Sequence, residues 1–424
     1  MAPARAQEAR EITDPAEIEA VVMAASARML VEGQAEEAYR LLKATEGALT
    51  SKDGRFQLGL AALETGRHDE AAAIFRRLLA DDPGSPRLRL AMARAQAMAG
   101  EEQAAMASLR RVLIEDVPDM VRERVRLHLA EINRRRRWSA GFDFALVADD
   151  NINGATNVEE IWIHGVPFTL SKDARRRPGT GVAATLYGQV FHPLGEDWRL
   201  RAGGSLHHVD YEGGFFDDTT LSGFAGPAYS TPNAEVSLVA AGYRRWYGGT
   251  PYSHALGPRL EIGGVLGDRL RLDGRVEYLQ VTHRNAEWLD GPAMTALLAA
   301  TYALDRGLFL RGFGGVRREQ AEEEPYRNTT LRGGVALYAE LPWGINAQVE
   351  QEISTRRFDA PIMIFGPERR KDTRWLSRLS VVLRHFEWQG FLPKLGVSYE
   401  KQDSTIALYE FDRTQLEFGV TREF

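Results

Sequence analysis

The stretch Lys371–Phe386, KDTRWLSRLSVVLRHF, decides how this chain is read. Trp375, Leu379, Val381 and Leu383 fall on one parity, while Arg374, Arg378 and Arg384 fall on the other. Alternate residues of a strand point to opposite faces, so one face suits lipid and the other suits water. The split recurs over 268–284, where Leu270, Leu272, Val276 and Tyr278 oppose Arg269, Arg271, Asp273, Arg275 and Glu277. Over 343–355, Ile345, Ala347, Val349 and Ile353 oppose Asn346, Gln348, Glu350 and Glu352. The lumen charges expected from these faces are Arg374, Arg378, Arg384, Glu350 and Glu352. A soluble sandwich would show the same alternation with its apolar face as core.

The connections separate the two readings. Strands are expected near 138–150, 179–191, 198–210, 217–229, 234–247, 252–266, 268–284, 291–304, 306–318, 328–341, 343–356, 371–387, 392–401 and 409–424. Links after even-numbered strands are mostly brief, as at His192–Asp197, Ser230–Asn233, Gly267–Asp268 and Trp388–Phe391. Links after odd-numbered strands are mostly longer, as at Asn151–Pro178, Glu319–Arg327 and Arg357–Arg370. An up-and-down barrel puts alternate links on opposite sides of the membrane and keeps its periplasmic links short. The fold expected over 138–424 is therefore a transmembrane antiparallel β-barrel of about 14 strands. Its even count returns the C-terminus to the periplasmic side where it began.

Composition fits. A mean hydropathy of -0.32, with no apolar run long enough for a membrane helix, is what alternating strands give when their two faces are averaged. Trp138, Trp198, Tyr229, Trp246, Tyr247, Tyr252, Trp288, Trp343 and Trp388 lie near expected strand ends, where aromatic girdles meet headgroups. The net charge of -6 gives no support to nucleic-acid binding. Absence of cysteine excludes disulfides and thiol metal sites. Residues 1–10 read as the remnant of a leader or a tag, since Ala4-Arg5-Ala6 looks like the tail of a cleavage site.

Residues 11–137 differ in kind. Gly33, Gly66 and Gly100 lie 33 and 34 residues apart; alanine follows each by five (Ala38, Ala71, Ala105), and Leu42, Phe75 and Leu109 follow by nine. This is the period of tetratricopeptide repeats, helix pairs whose concave surfaces bind peptides or proteins. The expectation is a periplasmic all-α repeat domain. The basic run Arg134–Arg137, just before the first strand, suits lipid headgroups, the barrel mouth or simply a solvated helix end.

The last strand carries a further sign. Leu416, Phe418, Val420 and Phe424 share one face, and a terminal phenylalanine with Glu417 and Gly419 resembles the signal read by the barrel-assembly machinery. Arg422 departs from that pattern, which usually has an apolar residue there.

Helical repeats, a barrel of about fourteen strands and VADDNINGATN (Val147–Asn157) at the exit of the first strand together resemble the surface lipoprotein assembly modulator family, the translocators of type XI secretion. Asp150, Asn151, Ile152 and Asn153 are the most family-like short motif. The resemblance implies export of client proteins, surface lipoproteins or soluble effectors, from periplasm to cell surface. It also implies residence in the outer membrane, with its lipid and the assembly machinery as partners.

Asp149, Asn151, Asn153, Gly154 and Glu160 also satisfy the spacing of a calcium-binding loop, but that loop needs flanking helices and here a strand precedes it. A structural exit, with Asn and Asp bonding local backbone, is the preferred reading, and no metal or cofactor is expected. Catalysis finds little support: there is no G-x-S-x-G elbow and no H-E-x-x-H pair. Ser205 and His207 share a face and His208 lies on the other, with no orienting carboxylate fixed by sequence. Two other readings stay open, a polysaccharide exporter with a repeat scaffold and a passive porin with an appended domain.

Overall fold

The computed structural model describes residues 14–113, 117–135, 137–231, 233–305 and 307–423. The chain divides into two compact units at Val112/Leu113. The sequence boundary at 137/138 marks the change from helix to strand, whereas the division between compact units falls a helix earlier.

The first unit holds α1 (Pro15–Val31), α2 (Ala35–Ala44), α3 (Lys52–Glu64), α4 (His68–Asp81), α5 (Pro86–Met98) and α6 (Glu102–Val112). Local chemistry sets the ends. Asp14, Ser51 and Ser85 cap α1, α3 and α5 by accepting from backbone N–H groups of the first turn, and Pro15 and Pro86 open α1 and α5. Gly33, Gly66 and Gly100 take φ of 79°, 79° and 84°. At each, the next residue's N–H reaches back to a carbonyl five residues earlier: Gln34 to Met29 at 2.8 Å, Arg67 to Ala62 at 2.9 Å and Glu101 to Gln96 at 2.8 Å. That is the left-handed helix stop that glycine adopts without a Cβ penalty. Ala38, Ala71 and Ala105 are fully buried, as are Leu42 and Phe75. Phe75 packs against Phe56 at 5.5 Å and fills the space a side chain at Gly59 would need. Large side chains so buried, such as Leu42 and Phe75, contribute roughly 1.5–3 kcal/mol each, while the alanines let the helices approach closely.

The second unit opens with α7 (Asp119–Arg135) and continues as strands β1 (Trp138–Asp149), β2 (Glu160–Ile163), β3 (Val166–Thr169), β4 (Gly179–Pro193), β5 (Trp198–Tyr211), β6 (Asp218–Ser230), β7 (Ala234–Tyr247), β8 (Thr250–Leu266), β9 (Leu270–His283), β10 (Gly291–Asp305), β11 (Leu308–Glu319), β12 (Asn328–Leu341), β13 (Ile345–Pro361), β14 (Arg369–Leu383), β15 (Leu392–Ser404) and β16 (Phe411–Glu423). Fourteen of these close an antiparallel barrel in which β1 pairs with both β4 and β16. The barrel strands run 12 to 17 residues, more than the roughly 9–11 a tilted strand needs to span hydrocarbon. Leu256 (67% exposed), Leu298 (62%) and Phe418 (62%) belong to an apolar outer face that recurs around the wall. An apolar surface of that extent marks contact with lipid.

Most strand ends shift by a few residues from expectation, and three departures bear on the site. The strand expected at 371–387 is Arg369–Leu383, and Arg384–Phe386 form a 3-10 turn, because the chain must reverse through Gln389 (φ 51°) and Gly390 (φ 85°). Arg384 therefore sits in a turn and not on a strand. The strand expected at 343–356 starts after a Pro342–Gly344 turn and runs on to Pro361. The link 151–178 is not a bare loop: β2 and β3 pair across His164 (φ 49°) and Gly165 (φ 81°). Two successive positive φ values are what a tight hairpin turn needs, and His-Gly between short apolar runs was the missed signal.

Candidate functional site

The inner wall of the barrel is built from charges that pair with one another. Across β13 and β14, Arg378 Nη1 lies 2.9 Å from Glu350 Oε1, and Arg374 Nε lies 2.6 Å from Glu400 on β15. Glu352, on the same parity as Glu350, is opposite Gly334 and Leu376. Arg384 reaches Glu340 at 3.3 Å from its turn. On β5, β7, β8 and β9 a continuous network joins Arg199 and Arg201 to Glu235, Arg201 and Arg259 to Glu261, and Arg259 to Glu277. Glu261 and Glu277 are mostly buried, so each carboxylate depends on its guanidinium to offset lost hydration. The result is a polar surface of both signs.

At the end of the barrel that carries the longer loops, the exit from β1 is clasped to β16. The Asp149 side chain is fully enclosed; its Oδ2 accepts from Tyr211 at 2.9 Å and from Arg413 Nε at 2.8 Å, and its Oδ1 accepts from Asn151 N at 2.8 Å. Asp150 Oδ1 accepts from Thr414 N at 2.7 Å, and its Oδ2 pairs with Arg176. Asn151 is wholly buried and donates through Nδ2 to the Asp412 carbonyl (2.8 Å) and the Ala155 carbonyl (2.9 Å), while Oδ1 accepts from Ala155 N. Ile152 packs with Val147 and Tyr211. Asn153 bonds the backbone of Arg175 and Arg177. Arg176 Nη1 closes the clasp on Asp412 at 2.9 Å.

The calcium spacing takes a different form here. The side-chain oxygens of Asp149, Asn151 and Asn153 are spent on hydrogen bonds within the clasp, and Glu160 begins β2 opposite Thr169. Sequence reasoning singled out Asp149–Asn153 but not their partners Arg176, Tyr211, Asp412 and Arg413, which come from three distant stretches of the chain.

The seam between β1 and β16 explains one further residue. Gly419 is opposite Ala145, and a Cβ on it would stand 1.9 Å from the Phe144 carbonyl oxygen, so the two strands close only around glycine. Glu417 points to the inner face, with Lys394 Nζ 3.6 Å away; Lys394 also holds Asp143 on β1 at 3.0 Å. Phe424 lies outside the described residues. Arg422 stacks on Phe391 at 5.0 Å. His207 contacts Thr185 and His208 contacts Thr219, each hydroxyl 2.8–2.9 Å from Nδ1, while Ser205 is opposite Tyr187 and Ser222.

At the short-turn end, Arg122 and Arg126 of α7 grip Asp268 in the β8–β9 turn at 3.1 and 2.8 Å. This contact ties α7 into the second unit. Arg136 of the basic run lies outside the described residues, as do the side chains of Arg134 and Arg135.

A closed barrel with a lipid-facing apolar exterior, a charged interior and tetratricopeptide repeats earlier in the chain is a transmembrane β-barrel protein with a helical-repeat domain in architecture. Comparison with known proteins sharpens this. The surface lipoprotein assembly modifier family model matches residues 138–424, and a tetratricopeptide repeat model matches 62–122. The chain belongs to the surface lipoprotein assembly modifier family. It is 24% identical to surface lipoprotein assembly modifier 1 of Neisseria meningitidis over 371 residues, covering 86% of this chain and 74% of that protein. It is 22% identical to the Haemophilus influenzae protein of the same name, covering 85% and 75%. Among solved structures, a Pseudomonas aeruginosa FadL homologue overlaps 68% of this chain and 90% of its own at TM-score 0.39 and 11% identity, too distant to argue from.

Proposed function

We propose that this protein is an outer-membrane translocator that delivers a surface lipoprotein, or a soluble effector, from the periplasm to the cell surface. The observation that carries the reading is the inner wall: in a family whose relatives are named for assembling surface lipoproteins, both signs of charge line a closed barrel and are paired across neighbouring strands. Such a wall holds water and offers a passing chain no single-sign trap. The chain enters the barrel at the end that carries the short turns, which supports a periplasmic site for the repeats. Their role is to receive the client before passage.

No covalent step is required. Work on the client is binding and passage, and the protein is not an enzyme in this reading. A barrel of this strand number is too narrow for a folded domain, because diameter grows with strand number and sixteen strands make only a channel. The client therefore crosses unfolded or partly folded, and folding outside helps prevent its return. The assembly machinery and membrane lipid serve biogenesis.

A client locked by engineered disulfides tests this. It should accumulate in the periplasm while its reduced form reaches the surface. Equal export of locked and reduced client contradicts passage in an unfolded state.

A further inference from the structure

The outer wall carries an unbalanced row of cations. In the strand registers Arg318 of β11 is opposite Thr329 of β12, Thr329 is opposite Arg357 of β13, and Arg357 is opposite Lys371 of β14. The next row in from the long loops holds Val316 and Leu331, and the one after it Ile353 and Trp375. These four side chains are 38–56% exposed, so the row of cations shares the lipid-facing side of the wall. It stands at the rim; directly inward of Arg357 and Lys371 lie Thr355 and Thr373, and Ile353 and Trp375 come next.

Arg357, Lys371 and Arg369 are exposed, and Arg369 is opposite Pro361 in the same strand pair. Asp359 shares this face of β13. It is taken by Arg318, whose Nη1 lies 2.8 Å from Oδ1, and it already feels Arg327 and Arg369. On β15, Lys401 and Asp403 neutralise each other at 2.9 Å, which confines the surplus to β11–β14. Like charges directly opposite in a sheet are destabilising, so Arg357 facing Lys371 calls for an outside counter-charge.

We propose that this row binds the phosphorylated headgroup of an outer-leaflet glycolipid of the lipid A type. Phosphate suits the site because guanidinium forks take its oxygens in pairs and an ammonium adds a point charge. An amphiphile suits it better than a free anion, since phosphate at the rim leaves acyl chains to lie along Leu331, Ile353 and Trp375. The placement rests on the reading above that the long-loop end faces outward. Binding is independent of export, so its test stands apart from that of the translocator reading.

The test uses the full chain, stripped of lipid and placed in nanodiscs, with lipid A as the probe and retention read by native mass spectrometry. The Arg357→Gln/Lys371→Gln variant should retain at least tenfold less lipid A, with unchanged heat-modifiable mobility on gels as the control for folding. Unchanged retention by the variant overturns the proposal. So does retention of phosphatidylglycerol equal to that of lipid A, which would mark a general anionic surface, or equal affinity for inorganic phosphate.

Discussion

At the residue scale, the features legible in the sequence are those whose physics is local. Glycine at Gly33, Gly66 and Gly100 is dictated by backbone conformation alone, since nothing lies near where their Cβ atoms would be. Spacing was enough to find them. Gly419 was legible only as a member of a terminal signal, whereas its steric reason depends on the Phe144 carbonyl across the seam, a contact no local pattern carries. Asp149 shows the same limit: its neighbours Asn151 and Asn153 could be read as local backbone partners, but Arg413 and Tyr211 are 264 and 62 residues away. The two seam residues make a joint prediction. Arg413→Gln leaves the enclosed Asp149 carboxylate without its cation, a loss of about 3–5 kcal/mol for a buried pair. Gly419→Val forces the seam apart at a cost of about 1–3 kcal/mol. Both variants should unfold at lower temperature in heat-modifiable gel assays, and both should refold poorly in detergent without any assembly machinery. Normal detergent refolding of Gly419→Val would return that residue to a role in recognition only.

At the element scale, strands were found because their alternation has to persist across the membrane, while their ends were set by turns. The β14 end lies earlier because Arg384–Phe386 lead into the reversal at Gln389 and Gly390, and β2–β3 escaped because four-residue strands are too short to show a period. In the repeats, helix pairing brings carboxylates to partners that a period alone does not reveal. Glu19 of α1 accepts from the Ser51 hydroxyl, Ser51 N and both N–H and hydroxyl of Thr50 at the start of α3, and these bonds, that of the Ser51 hydroxyl foremost, hold its pKa below the usual 4.5. Arg67 does the same for Glu36, chiefly by hydrogen bonding. Burial alone would raise Glu70, but bonds from Tyr39 and Lys43 outweigh it and its pKa is also lowered. A carboxylate with a depressed folded pKa contributes stability that is fully present above its unfolded value and is lost as pH falls through the folded one. Thermal unfolding of the full chain followed by helical circular dichroism should therefore hold steady from neutral pH to about pH 5 and weaken progressively below 4.5, the ordinary value of these groups. Glu19→Gln should remove some of that dependence. A helical transition indifferent to pH between 5 and 3 would contradict the assignment.

At the scale of the whole molecule, the fold was readable because the membrane imposes a rule on every strand and the repeats impose one on every helix pair. What escaped was assembly: the division at Val112/Leu113 places α7 with the barrel through Arg122, Arg126 and Asp268, although its sequence is as helical as what precedes it. A deletion meant to test the repeats should accordingly remove residues 12–112 and keep α7, leaving the barrel register intact. The proposed export of a client through this barrel, after recruitment by the repeats, is tested by protease accessibility in intact cells. The client to co-express is a candidate surface lipoprotein, the class the relatives are named for. It should be cleaved when the full chain is present, protected when the chain is absent, and largely protected with the 12–112 deletion despite an inserted barrel. A client equally accessible with and without the full chain would contradict export by this protein.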